Sequence, residues 1–169
     1  MPKDRETELF YHVDEVDKPL GSISRKEAHR DKKLIHRSVY IVITNSQNQL
    51  LFQKRSSNKD THPNYWALGV AGHVTFNQSY EESAVREVAE ELGKKVKVNF
   101  ITSILLKMPE ETEFCSIFEA ERLDIKSFDY DRDEVSRLRW VDPKELEMFI
   151  HKNPITPDTL AVLTKLNYI

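Results

Sequence analysis

Short runs of hydrophobic and β-branched residues recur along this chain, and their spacing predicts a protein that is rich in strands. The clearest run, Val-Tyr-Ile-Val-Ile at 39–43, is typical of a buried strand. Residues 45–48 have turn composition, so residues 49–55 are expected to return as the hairpin partner of that strand. The same pattern predicts five further extended segments: 10–16, 66–74, 96–106, 114–120 and 135–141.

Helices and turns are predicted between these runs. Residues 17–21 have turn composition, and residues 24–29 have the pattern of a short helix. Asp142-Pro143 and Thr156-Pro157 each pair an N-cap residue with a proline suited to the first helical position, so a helix is expected after each. Strands with interspersed helices and no regular alternation predict an α+β fold with a mixed sheet.

Residues 72–93 carry the most informative pattern of the chain. A loop opens with Gly72 and leads into a segment in which Ser79 and Glu82 have the spacing of a capping box. Gly93 suits the position that follows a helix C-terminus. Between these caps one apolar stripe recurs at helical spacing: Ala84, Val85, Val88 and Leu92. The segment is therefore expected to form an amphipathic helix.

Three carboxylates, Glu87, Glu90 and Glu91, fall together on another side of this helix, since residues three and four apart are neighbours. Clustered carboxylates repel each other unless a cation lies between them, and Mg²⁺ prefers oxygen ligands that include phosphate oxygens. The pattern indicates a metal site, although the carboxylates alone would also fit an exposed acidic helix.

Composition narrows the class of protein. The chain has 169 residues, 39% of them hydrophobic and 31% charged, which suits one soluble globular domain. A formal charge of −3 argues against a broad nucleic-acid surface, and no apolar run is long enough to span a membrane. The first residues lack the apolar core of a signal peptide, and Cys115 is the single cysteine, so a cytoplasmic location is expected.

The segment that opens at Gly72 resembles the Nudix box of the Nudix hydrolases. Gly72, Arg86, Glu87, Val88, Glu90, Glu91 and Gly93 match the box in register. Two positions depart from it: Gln78 stands where the box has its first glutamate, and Lys94 replaces the closing aliphatic residue.

This resemblance implies an α/β/α sandwich with a mixed sheet and hydrolysis that depends on Mg²⁺ or Mn²⁺. It implies a single Nudix domain over residues 1–169, with an N-terminal extension (1–37), a core (38–150) and a C-terminal helix (151–169). Glu87, Glu90 and Glu91 would bind the metal, and Arg86 would orient one of these glutamates by a charge-assisted hydrogen bond. The general base stays open between Glu90 and Glu113.

From about residue 11 to residue 141 the chain also resembles type I isopentenyl-diphosphate isomerase, a branch of the same superfamily. The resemblance rests on ungapped matches from the hairpin into the box and on the spacing of five residues: His29, His36, His73, Glu111 and Glu113. It implies that these five bind a second divalent metal, for which mixed histidine and carboxylate ligands favour Zn²⁺ or Mn²⁺. Taken singly, each residue also has an ordinary surface or strand-edge explanation.

The isomerase pattern fails at one position. Ala71 stands where the isomerases carry their catalytic cysteine, while the hydrolase carboxylates are retained. We therefore predict a hydrolase that acts on a nucleoside diphosphate, a nucleoside triphosphate or another organic diphosphate. One alternative is an isomerase with a variant mechanism, and a second is a non-catalytic ligand-binding domain, which Gln78 favours.

Basic residues near the hairpin are candidates for binding the diphosphate. Lys54, Arg55 and Lys59 could neutralise its charge or could simply blunt a solvated strand edge. Trp66 could stack on a base or cover a hydrocarbon, with a core position as the alternative. The expected partner is a small-molecule diphosphate, with neither nucleic acid nor membrane, and the sequence leaves the oligomeric state open.

Overall fold

The computed structural model of the chain describes residues 6–124 and 128–169, which form two sheets flanked by helices. The strands are β1 (Leu9–Val13), β2 (Pro19–Ser24), β3 (Ile35–Val42), β4 (Leu50–Arg55), β5 (Trp66–Leu68), β6 (Val70–His73), β7 (Val98–Lys107), β8 (Thr112–Ala120) and β9 (Val135–Val141). The helices are α1 (Arg25–Arg30), α2 (Tyr80–Leu92), α3 (Leu146–Lys152) and α4 (Pro157–Lys165). A 3₁₀ turn, Pro143–Glu145, precedes α3.

The larger sheet is mixed and has the strand order β2-β1-β3-β8-β7. Strand β3 pairs in parallel with β8 on one edge, and its other edge is shared between β1 and β6. This central position follows from its composition, because seven of its eight residues are buried and β-branched or aromatic residues suit such a strand. Strand β3 is therefore the element against which the rest of the sheet is aligned.

The smaller sheet is antiparallel, with the order β5-β4-β9. Strands β5 and β6 are successive pieces of one extended segment that is interrupted at Gly69, where φ is +56°. A Cβ at Gly69 would lie 1.9 Å from the carbonyl oxygen of Ile41, so only glycine allows this close approach. The break transfers the chain from the smaller sheet to the larger one.

Two hydrophobic cores lie on the two sides of the larger sheet. One packs the apolar stripe of α2 against β3 and includes Val39, Ile41, Val88 and Leu92. The other lies under α3 and α4 and includes Tyr40, Phe52, Trp66 and Phe149. The α/β/α sandwich with a mixed sheet is thus confirmed. Among the described residues, the helices are all too short or too polar to cross a membrane.

Three local predictions were wrong. The strand expected at 10–16 ends at Val13, because Asp14 closes a turn by accepting hydrogen bonds from the amides of Val16 and Lys18. Part of the predicted turn 17–21 is strand β2, which reads as polar because it is an exposed edge strand. Residues 49–55 form the predicted strand, but pairing with β3 stops after Leu51, and β4 continues in the smaller sheet.

Candidate active site

The box helix α2 is capped at both ends as its sequence predicts. The Ser79 side chain accepts a hydrogen bond from the Glu82 amide, and the Glu82 carboxylate accepts one from the Ser79 amide at 2.8 Å. Gly93 ends the helix in the left-handed conformation, with φ of +65°. The caps fix the helix register and so determine which carboxylates face the sheet.

Glu87 lies against Gly72 of β6. A Cβ at Gly72 would fall 2.1 Å from the Glu87 carboxyl carbon, so glycine at this position lets the Glu87 carboxylate lie directly against β6. Arg86 donates hydrogen bonds to the Glu87 carboxylate at 2.7 Å, to the His73 carbonyl at 2.9 Å and to the Thr75 hydroxyl at 2.9 Å. Arg86 therefore ties the helix to the end of β6 and holds Glu87 in place.

Glu87 and Glu91 are largely shielded from solvent, and a neighbouring carboxylate disfavours the ionisation of each: Glu90 acts on Glu87, and Glu87 acts on Glu91. Burial raises the pKa of Glu87 to about 7 and the pKa of Glu91 to about 8. The charge of Glu87 adds to the effect on Glu91, while a hydrogen bond from the Gln53 amide at 2.9 Å opposes it. Two carboxyl groups held in this way have the oxygen donors and the spare negative charge that a hard divalent cation requires.

The remaining box positions are more exposed. Glu90 lies at the solvent-facing border of the carboxylate group. The carbonyl of Gln78 accepts a long hydrogen bond from the Ser83 hydroxyl, at 3.5 Å, so its side chain folds back on the first turn of α2. Thus Glu87 and Glu91 lie together, Glu90 borders them, and Gln78 adds no charge.

The five histidine and glutamate residues also come together. The shortest separation is 3.0 Å, from His29 Nε2 to Glu111 Oε2. Nε2 of His36 and Nε2 of His73 lie 3.2 and 3.5 Å from that same oxygen. Oε1 of Glu113 lies 3.6 Å from His36 Nε2 and 3.3 Å from His73 Nε2. We call these five side chains the histidine cluster.

Strand register explains this convergence. His36 is the direct partner of Glu113 across the parallel β3–β8 pair, and Ser38, two positions along β3, is the partner of His73. Their side chains therefore project from one face of the sheet. His29 comes from α1, and Glu111 from the turn just before β8.

The donor atoms of the histidine cluster fit a metal ion. Nε2 of His36, Nε2 of His73 and Oε2 of Glu111 are buried, and each lacks a well-aligned hydrogen bond to any other described group. One donor atom from each of His29, His36, His73 and Glu111 can be chosen so that all lie within 4.8 Å of one another. Buried polar atoms that aim at a common point without bonding each other are what a shared cation would satisfy.

Without a metal ion, the histidine cluster is held together by contacts in which imidazole and carboxylate groups share protons. Burial alone would lower the pKa of His73, but contacts with Glu111 and Glu113 raise it to about 10. Burial would raise the pKa of Glu113, but contacts with His36 and His73 lower it to about 2. A protonated His73 thus stands where a metal cation would stand, and metal binding at this site would release its proton.

The pH dependence of stability follows from these groups. In the unfolded chain Glu87 and Glu91 ionise near 4.5, whereas in the fold they keep their protons up to about 7 and 8. The folded state therefore binds more protons, and its stability falls as pH rises through this range. The raised pKa of His73 acts in the same direction above 6.5, and the lowered pKa of Glu113 acts only below 4.5.

We accordingly expect the free energy of unfolding of the metal-free protein to fall by about 2 kcal/mol or more between pH 5.5 and pH 8.5. Urea denaturation in the presence of a chelator measures this change. Mg²⁺ should recover part of the loss at pH 8.5 and little at pH 5.5. A flat or rising profile would contradict the burial of Glu87 and Glu91.

The candidate substrate-binding residues occupy different surroundings. The Arg55 guanidinium donates to the Thr61 carbonyl at 2.8 and 3.0 Å, and Lys59 forms an ion pair with Glu134. Lys54 is partly exposed on β4. The indole of Trp66 is buried, 5% exposed, and packs edge-on against Phe149 with ring centroids 5.4 Å apart. The structure therefore brings Lys59 within range of a charge interaction with Glu91 and puts Trp66 in the core.

Ala71 occupies the position at which the isomerases carry their cysteine. It lies on β6 opposite Tyr40 of β3, on the same face as His73. The chain's own Cys115 lies on β8 opposite Ser38 and is fully buried, and burial keeps its pKa far above the usual range. Cys115 is therefore an inert thiol on the Glu113 strand and does not replace the missing acid.

Three further residues contribute to the site. The Phe10 ring stacks on the imidazoles of His36 and His73, with centroids 5.3 and 4.5 Å away. Gln53 bonds Glu91, and Asp158 lies at the start of α4 with an electrostatic contact to Glu113. A polar residue in an apolar strand could have drawn attention to Gln53, whereas Phe10 and Asp158 read as ordinary core and helix-start residues.

The fold and the box helix are those of a family of diphosphate hydrolases that generally use divalent metals. A family model described as the NUDIX domain matches residues 34–163. The chain therefore belongs to the Nudix hydrolase family.

Individual relatives fall in more than one branch of this family. An uncharacterized Nudix hydrolase of Pseudomonas aeruginosa is 32% identical over 159 residues, covering 94% of this chain and 92% of that one. Isopentenyl-diphosphate Delta-isomerase 2 of Photorhabdus laumondii is 31% identical over 152 residues, with coverage of 87% and 84%. A prenyl-diphosphate phosphatase of Methanosarcina mazei is 29% identical over 148 residues, with coverage of 86% of each chain.

A solved structure matches the whole fold. The crystal structure of the protein DR0079 from Deinococcus radiodurans superposes with a TM-score of 0.81 at 25% identity, covering 94% of this chain and 98% of that one. Since this match reaches beyond residues 34–163, it includes strands of the N-terminal segment as well as the core.

Proposed function

We propose that this protein is a divalent-metal-dependent hydrolase of an organic diphosphate. The observation that carries the proposal is the pair of carboxyl groups with raised pKa values on α2: Glu87, which packs against Gly72, and Glu91, which accepts a hydrogen bond from Gln53. Such an arrangement is unfavourable in an isolated fold once the groups ionise. It becomes favourable when a cation neutralises both carboxylates.

Glu87, Glu90 and Glu91 would hold Mg²⁺ or Mn²⁺ together with the substrate diphosphate. The bound ion would neutralise developing charge and make water a better nucleophile. The role of Arg86 is to orient Glu87, since its guanidinium is already fixed by the His73 carbonyl and the Thr75 hydroxyl. The role of Gln53 is to orient Glu91 in the same way.

We assign the proton acceptor to Glu90 rather than to Glu113. Contacts with His36 and His73 hold the pKa of Glu113 near 2, and a carboxylate with so low a pKa is a weak base at neutral pH. Glu90 is exposed beside the carboxylate pair, where water can reach it. Glu113 is better suited to bind a second metal, Zn²⁺ or Mn²⁺, with the other members of the histidine cluster.

Lys59 is the best-placed cation for the diphosphate. Its charge acts on Glu91, and its partner Glu134 holds it at the border of the carboxylate pair. Arg55 and Lys54 lie at the end of β4 and project to opposite faces of its sheet, so at most one of them can face the same side as Gln53. A diphosphate that enters here would meet positive charge on one side and the metal carboxylates on the other.

A substrate screen tests the proposal directly. Purified protein with Mg²⁺ or Mn²⁺ would be incubated with nucleoside diphosphates, nucleoside triphosphates and prenyl diphosphates, and phosphate release would be measured. Metal-dependent release from at least one of them is expected. Binding of several diphosphates without release from any would instead favour a non-catalytic ligand-binding domain.

Isopentenyl-diphosphate isomerisation is the second candidate, and the assembled histidine cluster favours it. That reaction needs an acid that protonates one carbon of the double bond and a base that removes a proton from the other side. Ala71 has no proton to give, and Cys115 is buried on the same strand as Glu113. The cluster could therefore bind such a substrate without converting it.

We expect the wild-type protein to form no dimethylallyl diphosphate from isopentenyl diphosphate, and Ala71→Cys to form it at a measurable rate. General acid–base groups typically contribute about 10²–10⁴-fold, so restoring one should bring the product above background. Ala71→Ser is the matched control, because its side chain is similar in size but far less acidic. Robust isomerisation by the wild type would overturn the hydrolase proposal.

A further inference from the structure

The segment that leads into β1 lies between α1 and the loop that joins β6 to α2. The Glu8 carbonyl accepts a hydrogen bond from the Arg25 amide at 2.8 Å, and the Leu9 carbonyl accepts one from the Phe76 amide at 2.8 Å. Backbone bonds to both neighbours therefore fix Glu8 beside the chain that opens the box helix.

The side chain of Glu8 extends this contact towards the box helix. The Thr75 hydroxyl oxygen lies 2.9 Å from Glu8 Oε1 and 2.9 Å from Arg86 Nη1. A guanidinium can only donate, so the Thr75 oxygen accepts from Arg86 and gives its single proton to the Glu8 carboxylate. Arg86 in turn donates to the Glu87 carboxylate at 2.7 Å. We call this chain of four side chains the Glu8 relay: Glu8, Thr75, Arg86 and Glu87.

The orientation of the Arg86 guanidinium depends on few anchors. Its Nη2 donates to the His73 carbonyl and to Glu87, and its Nη1 donates to Thr75. Its Nε is buried and has no hydrogen-bond partner within the part of the chain that the structure describes. A fixed acceptor for the Thr75 proton keeps the hydroxyl oxygen turned towards Arg86, and linked hydrogen bonds strengthen one another.

We propose that Glu8 is a positioning residue for the metal carboxylates of the box helix, and that it acts on Glu87 through Thr75 and Arg86. The inference rests on the proposed function and concerns the divalent cation of that site. Glu8 lies outside the region that the family model matches, which begins at residue 34. The N-terminal extension thus contributes to the metal site of the core as well as to the histidine cluster.

The same contacts also have a purely structural explanation, because they fasten the start of the chain onto the core. Glu6 fastens the same segment through Lys26, with Oε2 and Nζ 3.6 Å apart, and takes no part in the Glu8 relay. Glu6→Ala is therefore the matched control. Fastening alone predicts the same result for Glu6→Ala and Glu8→Ala, whereas positioning predicts that Glu8→Ala alone weakens metal binding.

The experiment measures Mn²⁺ binding from the electron paramagnetic resonance signal of the free ion, after the histidine cluster has been filled with Zn²⁺. Loss of binding in Glu91→Gln assigns the titrated site to the box helix. We expect Glu8→Ala and Thr75→Val each to raise the Mn²⁺ dissociation constant by about tenfold, the low end of the range for groups outside the ligand shell. Since both act through one relay, the double variant should also lose only about tenfold.

Conservative variants separate positioning from packing. Glu8→Gln keeps an oxygen that can accept from Thr75, and Thr75→Ser keeps the hydroxyl, so each should recover most of the wild-type affinity. Glu6→Ala should match the wild type. Thermal unfolding of every variant identifies any loss of fold, and Thr75→Val, which is close to threonine in shape, keeps the test decisive if Glu8→Ala does not fold.

The outcomes distinguish this proposal from the proposed function. Wild-type affinity in Glu8→Ala, an equal loss in Glu6→Ala, or a loss of about a hundredfold in the double variant would overturn the Glu8 relay, even in a protein that hydrolyses diphosphates. The expected pattern of affinities in a protein that hydrolyses none of the screened diphosphates would support the relay and overturn the hydrolase proposal.

Discussion

Glu91→Gln should lower kcat by at least about a hundredfold while leaving the fold intact, a magnitude typical for the loss of a charged group in metal and electrostatic catalysis. The amide oxygen can still accept the hydrogen bond that Gln53 now gives to the carboxylate. Because the pKa of Glu91 is raised to about 8, a neutral side chain also matches the protonated form present in the metal-free protein near neutral pH. Only the metal-bound state loses a charge that it needs.

Steady-state kinetics across a series of Mg²⁺ concentrations would measure this effect, together with the unfolding temperature. Glu81→Gln is the matched control, since Glu81 is exposed in the first turn of the same helix, apart from the capping box and the carboxylate pair. If Glu91→Gln retained full activity, the box helix would have no part in the chemistry. If both variants lost activity equally, a general effect of helix charge would be the better explanation.

Glu111→Gln is expected to weaken Zn²⁺ or Mn²⁺ binding at the histidine cluster by at least about a hundredfold. A single oxygen of Glu111 lies within 3.5 Å of Nε2 of His29, His36 and His73, so this carboxylate is the common neighbour of all three imidazoles. Removing the negative charge of Glu111 weakens the electrostatic attraction of the histidine cluster for a cation. Loss of a ligand should exceed the 10–100-fold effect typical of groups outside the ligand shell.

Competition with a chelating dye gives the affinity, and elemental analysis of the dialysed protein gives the stoichiometry. Glu110→Gln serves as the control because Glu110 is the preceding residue, more exposed, and directed towards His62 instead. Proton release on metal addition provides an independent readout, since His73, whose pKa is raised to about 10, must lose its proton to become a ligand. An unchanged affinity in Glu111→Gln would show that the cluster is only a charge network.

Local chemistry made much of the fold predictable. The capping box of Ser79 and Glu82 and the terminal Gly93 determine α2 within a residue or two, because these caps act on neighbouring backbone groups. The buried run in β3 was equally clear, although the strand begins at residue 35 rather than at residue 39. His36 and Arg37 interrupt the apolar pattern at that start: His36 belongs to the histidine cluster, and Arg37 forms an ion pair with Asp17.

Long-range features escaped the sequence pattern. The turn at 45–48 correctly indicates a reversal, but β4 then pairs with β5 and with β9, and the pairing with a strand as distant in the sequence as β9 has no local signal. For the histidine cluster the residues were predictable from a family resemblance, whereas their geometry depends on a parallel pairing that no local signal encodes. Asp158 was missed because acids are common after a proline at a helix start, and only the packing of α4 against β3, through the hydrogen bond between the Thr159 and Tyr40 hydroxyls, brings it near Glu113.

The parallel pairing of β3 with β8 has a consequence for how the protein folds. His36 and Glu113 are direct partners although strands β4 to β7 and the whole of α2 lie between them in the sequence. Closing so long a stretch of chain is entropically slow, so this pair is expected to form late. Metal ions can then bind only after the rate-limiting step. Metal ions should therefore slow unfolding and leave the refolding rate nearly unchanged, because ligands that lie far apart in the sequence come together only after the transition state for folding.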